Sequence, residues 1–352
     1  MNLEQRIAAF SKLGSFMRQF AEIKAVRDPG VPSNDLFFDG MKHQLQLAGE
    51  NNSWFTRDNL AYAFRSWSEL LTKESLQQWF EAYDTGAVNS KQVGIIMAGN
   101  IPLVGFHDFL SVLVSGHEVL VKQATKDRHL LPYLAKYLKQ VEPGFESKIS
   151  FTDERMSGFD AIIATGSNNT ARYFEYYFKD VPSIIRHNRN SAAILKGDES
   201  QEQLAGLAED IFRYFGLGCR SVSKLFVPSA YDFKDFFMAV YPWRTVIDFQ
   251  KYSNNYDYNK AVYLMSEFDI LDNGFLMLKE DSSYASPIAT VFYERYNSSS
   301  ELMAKLKFDS QNIQCVVADG LSDSEVAFGQ TQRPALNDYA DGIDTVDFLL
   351  KI

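Results

Sequence analysis

The chain has 352 residues, 35 of them basic and 45 acidic, which gives a net charge of −10. This length allows two domains with separate cores. The negative charge argues against nucleic acid or an anionic membrane surface as the main partner. The first 20 residues carry charges throughout, and no apolar run is long enough to cross a bilayer. We therefore expect no signal peptide, no membrane span and a cytoplasmic location.

The only two cysteines, Cys219 and Cys315, lie far apart and have no neighbouring ligands at metal-binding spacing. This pattern predicts a reducing compartment and no bound metal. Cys219 follows two glycines in YFGLGCRSVSKLFVP, directly before a strand-like stretch. On the residues alone, it is either a reactive thiol or a small core residue, because free cysteine is often buried. Cys315, flanked by apolar residues in NIQCVVADG, is predicted to lie in the core.

The first 90 residues are predicted to be helical. Apolar side chains recur at three- and four-residue spacing between Leu3 and Phe20, and WFTRDNLAYAFRSWSELLTKESLQQWFEAY has a similar period. The aromatic side chains of this second region could line a substrate channel, but packing against the first lobe or another subunit is the prediction. They are Trp54, Phe55, Phe64, Trp67, Trp79 and Phe80.

From Gln92 onward, strand and helix patterns alternate. VGIIMAGN and EVLVKQA are typical of buried parallel strands, and IPLVGFHDFLSVLVSG between them has helical periodicity. Asn100 is predicted as the N-cap of this helix, with Pro102 in its first turn and Gly116 as its C-cap. The Asn100 amide is equally suited to donate to an oxyanion. Lys122 ends the second strand, on the side of a parallel sheet where ligands bind.

A further strand, AIIAT, leads through Gly166 and Ser167 into the helix ARYFEYYFKD. Such a helix start can receive a phosphate, although the same residues also make an ordinary turn and cap. Neither the G-x-G-x-x-G fingerprint nor a P-loop is present. SIIRHNRNSAAIL is predicted to link two lobes, with a boundary near Ser191. The helix QEQLAGLAEDIFRYFG and the strands and helices after it predict a second α/β lobe.

Four segments, in order along the chain, resemble the aldehyde dehydrogenase superfamily: IIMAGNIPLVGFHDFLSVLVSGHEVLVKQA, ATGSNNTARYF, NSAAIL and GLGCRSVSKLFVP. WFTRDNLAYAF and the ending FGQTQRPALNDYADGIDTVDFLLKI resemble more narrowly its LuxC-like acyl-CoA reductase branch. The resemblance implies a two-lobed α/β architecture. It comprises a helical N-terminal region (1–90), a nucleotide-binding lobe (91–190), a catalytic lobe (191–325) carrying the cysteine, and a C-terminal tail (326–352).

The resemblance also implies roles for individual residues. Cys219 matches the nucleophile, and Asn100 matches the amide that holds the developing oxyanion together with the Cys219 backbone N–H. Lys122 matches the lysine at the adenosine ribose of the cofactor. The residues that match the turn near the cofactor's pyrophosphate are Thr165, Gly166 and Ser167.

Two departures from the family pattern bear on the reaction. Aldehyde oxidisers carry a glutamate, which activates the hydrolytic water, where this chain has Arg186 or His187. Its loss favours a thioester substrate, because thiol exchange needs no activated water. His187 is then either a proton donor or a solvated loop residue. The family's glutamate at the nicotinamide ribose is replaced near Ser283, and the chain is shorter than most relatives, which leaves the substrate tunnel and the oligomerisation flap in question.

The resulting prediction is an NADPH-dependent acyl-CoA reductase that forms a thioacyl-enzyme and releases a fatty aldehyde. NADPH is implied by the resemblance, and the cations of KQATKDRH could bind its 2′-phosphate. The expected partners are acyl-CoA or another acyl donor, further copies of the chain in a homo-oligomer, and an acyl-transferring protein. Two alternatives stay open: a reductase of acyl phosphate or protein-bound acyl groups, and a non-catalytic scaffold that binds the acyl-transferring partner.

Overall fold

A computed structural model describes residues 1–86, 88–321 and 324–352, and the chain divides into two compact units. Unit 1 comprises Met1–His187 and Ala335–Ile352, and unit 2 comprises Asn188–Pro334. Residues 326–352, predicted as one tail, are therefore shared between the units. The part from Ala335 onward belongs to unit 1 because its apolar side chains lie in that unit's core, among them Leu336, Val346 and Leu349.

Four helices open unit 1: α1 (Leu3–Arg18), α2 (Asn34–Asn51), α3 (Arg57–Leu70) and α4 (Lys73–Phe80). The predicted helical N-terminal region is thus confirmed. Most of the aromatic side chains considered for a channel are buried in the core of this unit, and Trp54 and Trp67 pack against the same core. Their role is packing, as predicted.

A five-stranded parallel sheet follows, made of β1 (Gln92–Ile96), β2 (Glu118–Lys122), β3 (Ile149–Phe151), β4 (Ala161–Thr165) and β5 (Ser183–Arg186). Its order is β3-β2-β1-β4-β5, so the strand order reverses between β1 and β4. The connecting helices are α5 (Phe106–Ser115), α6 (Leu130–Val141) and α7 (Asn168–Tyr177).

The predicted start of α5 is wrong. The helix begins at Phe106 with Gly105 as its N-cap, so Asn100 is not the cap and Pro102 is not in the first turn. Residues 97–105 form a loop instead, because Leu103 has a left-handed φ of 57° that interrupts helical geometry. The predicted C-cap is confirmed, since Gly116 ends the helix with a φ of 103°.

Unit 2 contains a six-stranded sheet of β6 (Asn190–Ile194), β7 (Val222–Pro228), β8 (Ile270–Asp272), β9 (Met277–Glu280), β10 (Thr290–Tyr296) and β11 (Ile313–Val317). The order is β11-β6-β7-β10-β9-β8, and every pair is parallel except β8 with β9. Its helices are α8 (Gln201–Phe212), α9 (Lys234–Val240), α10 (Gln250–Met265) and α11 (Ser299–Phe308). The predicted second α/β lobe is confirmed.

The chain then returns to unit 1, where α12 (Thr345–Lys351) packs against α5. The contact is reinforced by His117, whose Nε2 lies 2.8 Å from the carbonyl oxygen of Leu349. Within the described residues, no helix is both long and apolar enough to cross a membrane.

Candidate active site

Cys219 lies in a tight turn directly before β7 in unit 2. The turn spans residues 218–221 and is closed by the Ser221 N–H, which donates to the carbonyl oxygen of Gly218 at 3.0 Å. The cysteine is exposed. The alternative in which Cys219 fills a gap in the core is therefore wrong, and the thiol is available to a reagent from solvent.

The backbone that leads into this turn is strained. Tyr214, Phe215 and Gly216 have consecutive left-handed φ values of 55°, 57° and 73°, a conformation that is unfavourable for residues other than glycine. Packing holds it in place: Tyr214 is buried, and the ring of Phe215 stacks on Phe249 with centroids 4.8 Å apart. The helix predicted to run through Gly216 accordingly ends at Phe212.

Cys219 lines a pocket of about 280 Å³ that is built entirely from unit 2. Its walls come mainly from residues 188–190, 216–219 and 285–291. The last segment begins two residues after Ser283, near which the resemblance places the family's ribose-binding glutamate. The pocket opens at the amino ends of β6, β7 and β10, whereas ligands of α/β sheets usually bind at the carboxyl ends.

A buried serine holds the backbone of the cysteine. The Ser191 hydroxyl on β6 lies 3.0 Å from the Cys219 carbonyl oxygen, to which it donates, and 3.1 Å from Sγ of Cys315. The pairing of β6 with β7 shifts register at Ser191, and bulges of this kind are frequent beside active sites. The prediction that Cys315 fills the core is wrong, because it is only partly buried and its thiol contacts Ser191.

The predicted cofactor residues of unit 1 lie at the carboxyl edge of one sheet. Ile96, which ends β1, pairs with Lys122 on one side and with Ala164 on the other. Lys122 therefore lies beside the start of the loop that carries the exposed Asn100, and Thr165 ends the strand on the other side of β1. Because the strand order reverses between β1 and β4, this edge is a topological switch point, the usual ligand site of such sheets.

The turn from β4 into α7 can accept an anionic group. Ser167 is the N-cap, and its Oγ accepts the Thr170 N–H at 3.3 Å. A Cβ on Gly166 would lie 3.0 Å from Cβ of Thr170 and 3.1 Å from the Phe174 ring. The missing side chain thus permits a tight strand-to-helix turn, and the positive amino end of the helix attracts an anion. The turn thus fits the diphosphate of a dinucleotide, and Lys122, on the same edge of the sheet, fits its ribose.

A carboxylate that the sequence patterns did not single out supports the Asn100 loop. Oδ2 of Asp127 accepts the N–H of Leu103 at 2.9 Å, at the left-handed residue of the loop. Burial raises the pKa of Asp127 to about 6, and the hydrogen bond from Leu103 opposes part of this rise. The only signal in the sequence is one acidic residue within the otherwise cationic KQATKDRH, a segment whose cations suggest phosphate binding instead.

His187 and Arg186 are both engaged within unit 1. His187 Nε2 lies 3.1 Å from Oε1 of Glu175, and both side chains are substantially exposed. The wall of the cysteine pocket begins at the next residue, Asn188. Arg186 is buried and forms an ion pair with Asp108. Of the two residues at which the resemblance places the hydrolytic glutamate, Arg186 is thus a buried structural cation and His187 is exposed. Across residues 1–86, 88–321 and 324–352, no group of three or more His, Cys, Asp or Glu side chains is arranged to hold a metal.

Solved structures with the same fold are aldehyde dehydrogenases. The enzyme from Bacillus cereus in its NAD+ complex is 14% identical, with a TM-score of 0.61 over 90% of this chain and 72% of its own. Aldehyde dehydrogenase 21 from Physcomitrella patens, in complex with the product succinate, is 10% identical, with a TM-score of 0.67 over 100% and 84%. Indole-3-acetaldehyde dehydrogenase from P. syringae, in complex with NAD+, is 13% identical, with a TM-score of 0.63 over 96% and 75%. These likenesses confirm the two-lobed fold.

A comparison with curated proteins gave no match. The profile of the acyl-CoA reductase (LuxC) family, in contrast, matches residues 38–240, which is more than half of the chain. The matched range includes the Asn100 loop, the Gly166 turn and Cys219. The chain therefore belongs to the LuxC family of acyl-CoA reductases.

Proposed function

We propose that this protein reduces a fatty acyl thioester to an aldehyde with NADPH, through a thioacyl intermediate on Cys219. One observation carries the proposal: the single cysteine inside the range matched by the LuxC family is exposed in a turn and lines a pocket. An exposed thiol in a partly enclosed pocket can be reached by an acyl group that leaves bulk water.

The first step is acyl transfer to the enzyme. The Cys219 thiolate attacks the thioester carbonyl carbon and forms a new C–S bond, and the C–S bond to CoA then breaks, with CoA leaving as its thiolate. The Cys219 backbone N–H and the Asn100 amide are the proposed donors to the oxyanion of the tetrahedral intermediate. Each such donor stabilises the transition state by about 3 kcal/mol in comparable sites.

The second step is reduction of the enzyme-bound thioester. A bound nicotinamide cofactor would supply a hydride to the thioester carbon, and the resulting oxyanion would take up a proton to give a thiohemiacetal on Cys219. Gly166 and Ser167 are proposed to bind the diphosphate of the cofactor, and Lys122 its adenosine ribose. The thiohemiacetal hydroxyl then loses its proton, the C–S bond breaks, and the aldehyde leaves as Cys219 regains its thiolate. His187 stays a candidate for handling this proton.

Arg186 supports reduction over aldehyde oxidation. In the oxidising enzymes, a carboxylate that the resemblance places at Arg186 or His187 activates water, but here Arg186 is a buried cation and His187 an exposed imidazole. Hydrolysis of the thioacyl-enzyme should therefore be slow, so the intermediate persists until hydride arrives. Exchange between two thiols needs no such base, because the attacking thiolate is already the reactive species.

The NADPH preference is supported by exposed cations that follow β2. Lys126 and Arg128 are exposed directly beyond Lys122, on the same edge of the sheet. A 2′-phosphate carries negative charge that such side chains can bind with charge-assisted hydrogen bonds. The NAD+ complexes of the Bacillus cereus and P. syringae enzymes support a nicotinamide cofactor in general.

Intact-protein mass spectrometry after incubation with a long-chain acyl-CoA tests the proposal. We expect an acyl adduct on the wild type and on Cys315→Ala, but none on Cys219→Ala, and we expect NADPH to discharge the adduct as aldehyde. An adduct from acyl phosphate or an acylated protein, with none from acyl-CoA, would point to the alternative donors. A folded wild type that gives no adduct with any donor would favour the scaffold alternative.

We also propose that the protein assembles with further copies of itself and with an acyl-transferring protein, in the cytoplasm. A homo-oligomer and an acyl-transferring protein partner are carried over from the family resemblance, and light scattering of the purified protein with and without that partner tests both. The cytoplasmic location stays a prediction from the cysteine pattern.

A further inference from the structure

A short segment of unit 2, residues 329–332, lies against α8 and is called the strap here. It is anchored by Asp210 of α8, a carboxylate with no exposed surface. Asp210 Oδ2 accepts the Gly329 N–H at 2.7 Å. Its Oδ1 accepts the backbone N–H of Thr331 at 3.0 Å and the Thr331 hydroxyl at 2.8 Å. Three donors from one segment thus converge on one buried carboxylate.

The opposite side of the strap contacts the turn that carries Cys219. Nε of Arg220 donates to the carbonyl oxygen of Thr331 at 2.6 Å, and Nε2 of Gln332 donates to Oγ of Ser221 at 3.3 Å. Arg220 and Ser221 are the two residues that follow the cysteine. A continuous chain of hydrogen bonds therefore runs from α8 through Thr331 to the residue next to Cys219.

Backbone packing fixes the strap against the helix. A Cβ on Gly206 of α8 would lie 2.9 Å from the carbonyl carbon of Phe328 and 3.0 Å from the nitrogen of Gly329. Gly329 itself has a φ of 81°, which favours glycine. Both glycines are thus required for the close approach, and the strap cannot shift toward the helix.

The buried carboxylate specifies one position of the strap. Burial raises the pKa of Asp210 to about 6, against the opposing effect of the bonds from Gly329 and Thr331. A buried carboxylate is costly unless it is fully hydrogen-bonded. All three of these donors belong to the strap, so displacement of the strap would leave the Asp210 carboxylate without hydrogen bonds. The strap is therefore held in place, and its contacts with Arg220 and Ser221 restrain the turn that carries Cys219.

We propose that Asp210 and Thr331 are positioning residues that hold the Cys219 turn in the geometry required for acyl transfer. The chemical part of this inference rests on the proposed function, whereas the restraint on the turn does not. A misplacement of about 1 Å at a reacting atom can cost about 100-fold in rate. The catalytic group remains Cys219, and the two residues act through the backbone around it.

The test compares Thr331→Val, which keeps the shape but removes the hydroxyl donor, with Thr331→Ser, which keeps the donor. Two quantities are measured on each folded variant and on the wild type. The first is amide hydrogen exchange of residues 218–222, which does not depend on any reaction. The second is the single-turnover rate constant of acylation of Cys219 by a long-chain acyl-CoA, with its dependence on acyl-CoA concentration.

For Thr331→Val we expect at least tenfold faster exchange at residues 218–222, and at least tenfold slower maximal acylation with little change in the half-saturating acyl-CoA concentration. Thr331→Ser should restore both values to within about threefold of the wild type. Unchanged exchange and unchanged acylation in Thr331→Val would overturn the inference, as would slower acylation that Thr331→Ser does not rescue.

The proposed function and the positioning role can fail separately. If the wild type is not acylated, the proposed function fails. The hydrogen-exchange data alone then show whether the strap restrains the Cys219 turn. Faster exchange in Thr331→Val with rescue in Thr331→Ser then supports a strap that orders the turn, and unchanged exchange overturns it. If Thr331→Val does not fold, Asp210→Asn and Arg220→Gln are compared with the wild type by the same two measurements. Each of these variants changes one partner in the series of hydrogen bonds between α8 and the Cys219 turn.

Discussion

Arg186 and Asp108 form a buried ion pair in unit 1, with Nη2 of the arginine 2.7 Å from Oδ1 of the aspartate. Arg186 also donates to Oγ1 of Thr345 at 3.0 Å and to the carbonyl oxygen of Ala340 at 2.7 Å. One side chain thus joins β5, α5 and the returning C-terminal segment. Arg186, one of the two residues at which the resemblance places the hydrolytic glutamate of aldehyde oxidisers, is thus part of the structural core of this unit.

Restoring that glutamate should therefore damage the fold without creating an oxidiser. Arg186→Glu would bury a second carboxylate beside Asp108, and we expect a loss of about 3–5 kcal/mol in the free energy of unfolding. Urea unfolding followed by circular dichroism measures it. The double variant Arg186→Met with Asp108→Leu removes both charges and should be markedly less destabilised. A stably folded Arg186→Glu protein that hydrolyses its thioacyl adduct would contradict this view of Arg186.

Removing the Ser191 hydroxyl should slow acylation more than it lowers stability. Ser191→Ala deletes the hydrogen bond to the Cys219 carbonyl and frees the peptide that follows the cysteine to rotate. We expect about a tenfold lower acylation rate, and a loss of about 1 kcal/mol in the free energy of unfolding, typical of one hydrogen bond. Ser229→Ala is the matched control, because its hydroxyl also donates to a carbonyl, that of Tyr296, but beyond the far end of β7. Equal acylation rates in the two variants would argue against the role of Ser191.

Asp127 should make the stability of the protein fall as pH rises. Its pKa lies near 6 in the folded state, above the ordinary value of 3.8, so the folded state favours the protonated form. The contribution to stability is therefore full below pH 3.8 and is lost as pH rises through 6. Relative to Asp127→Asn, the wild type should lose up to about 3 kcal/mol between pH 4 and pH 8. Urea unfolding at several pH values measures this; a difference between the two proteins that is constant with pH would show that the Asp127 pKa is not raised.

The cations beyond β2 should discriminate between the two nicotinamide cofactors. Lys126→Gln and Arg128→Gln each remove a charge that is proposed to bind the 2′-phosphate, so we expect the KM for NADPH to rise about tenfold. The KM for NADH should stay unchanged, because NADH lacks that phosphate. Lys122→Gln should instead raise both values, since its proposed partner is a ribose. Steady-state kinetics with each cofactor provides the comparison, and a wild type that prefers NADH would refute the assignment.

The sequence by itself determined the alternation of elements and the family. The spacing of apolar residues predicted the helical N-terminal region and both α/β lobes. Burial of one or both faces of a helix or strand places apolar residues at regular intervals along the sequence. The spacing of apolar residues could not predict that Cys219 is exposed, nor where the Asn100 loop begins and ends. The helix after Asn100 starts five residues later than its cap signal suggested, because a hydrogen bond from Leu103 to the distant Asp127 stabilises a left-handed residue in the loop.

Only the tertiary structure decided what surrounds the cysteine. Ser191, Thr331 and Asp210 are ordinary polar residues that lie 28 or more residues from their partners in the sequence, and no local pattern marks them. They become informative because folding buries them, and a buried polar group must find a partner wherever the chain supplies one. The sequence thus named the thiol and the family, while long-range hydrogen bonds decided which residues hold the turn that carries it.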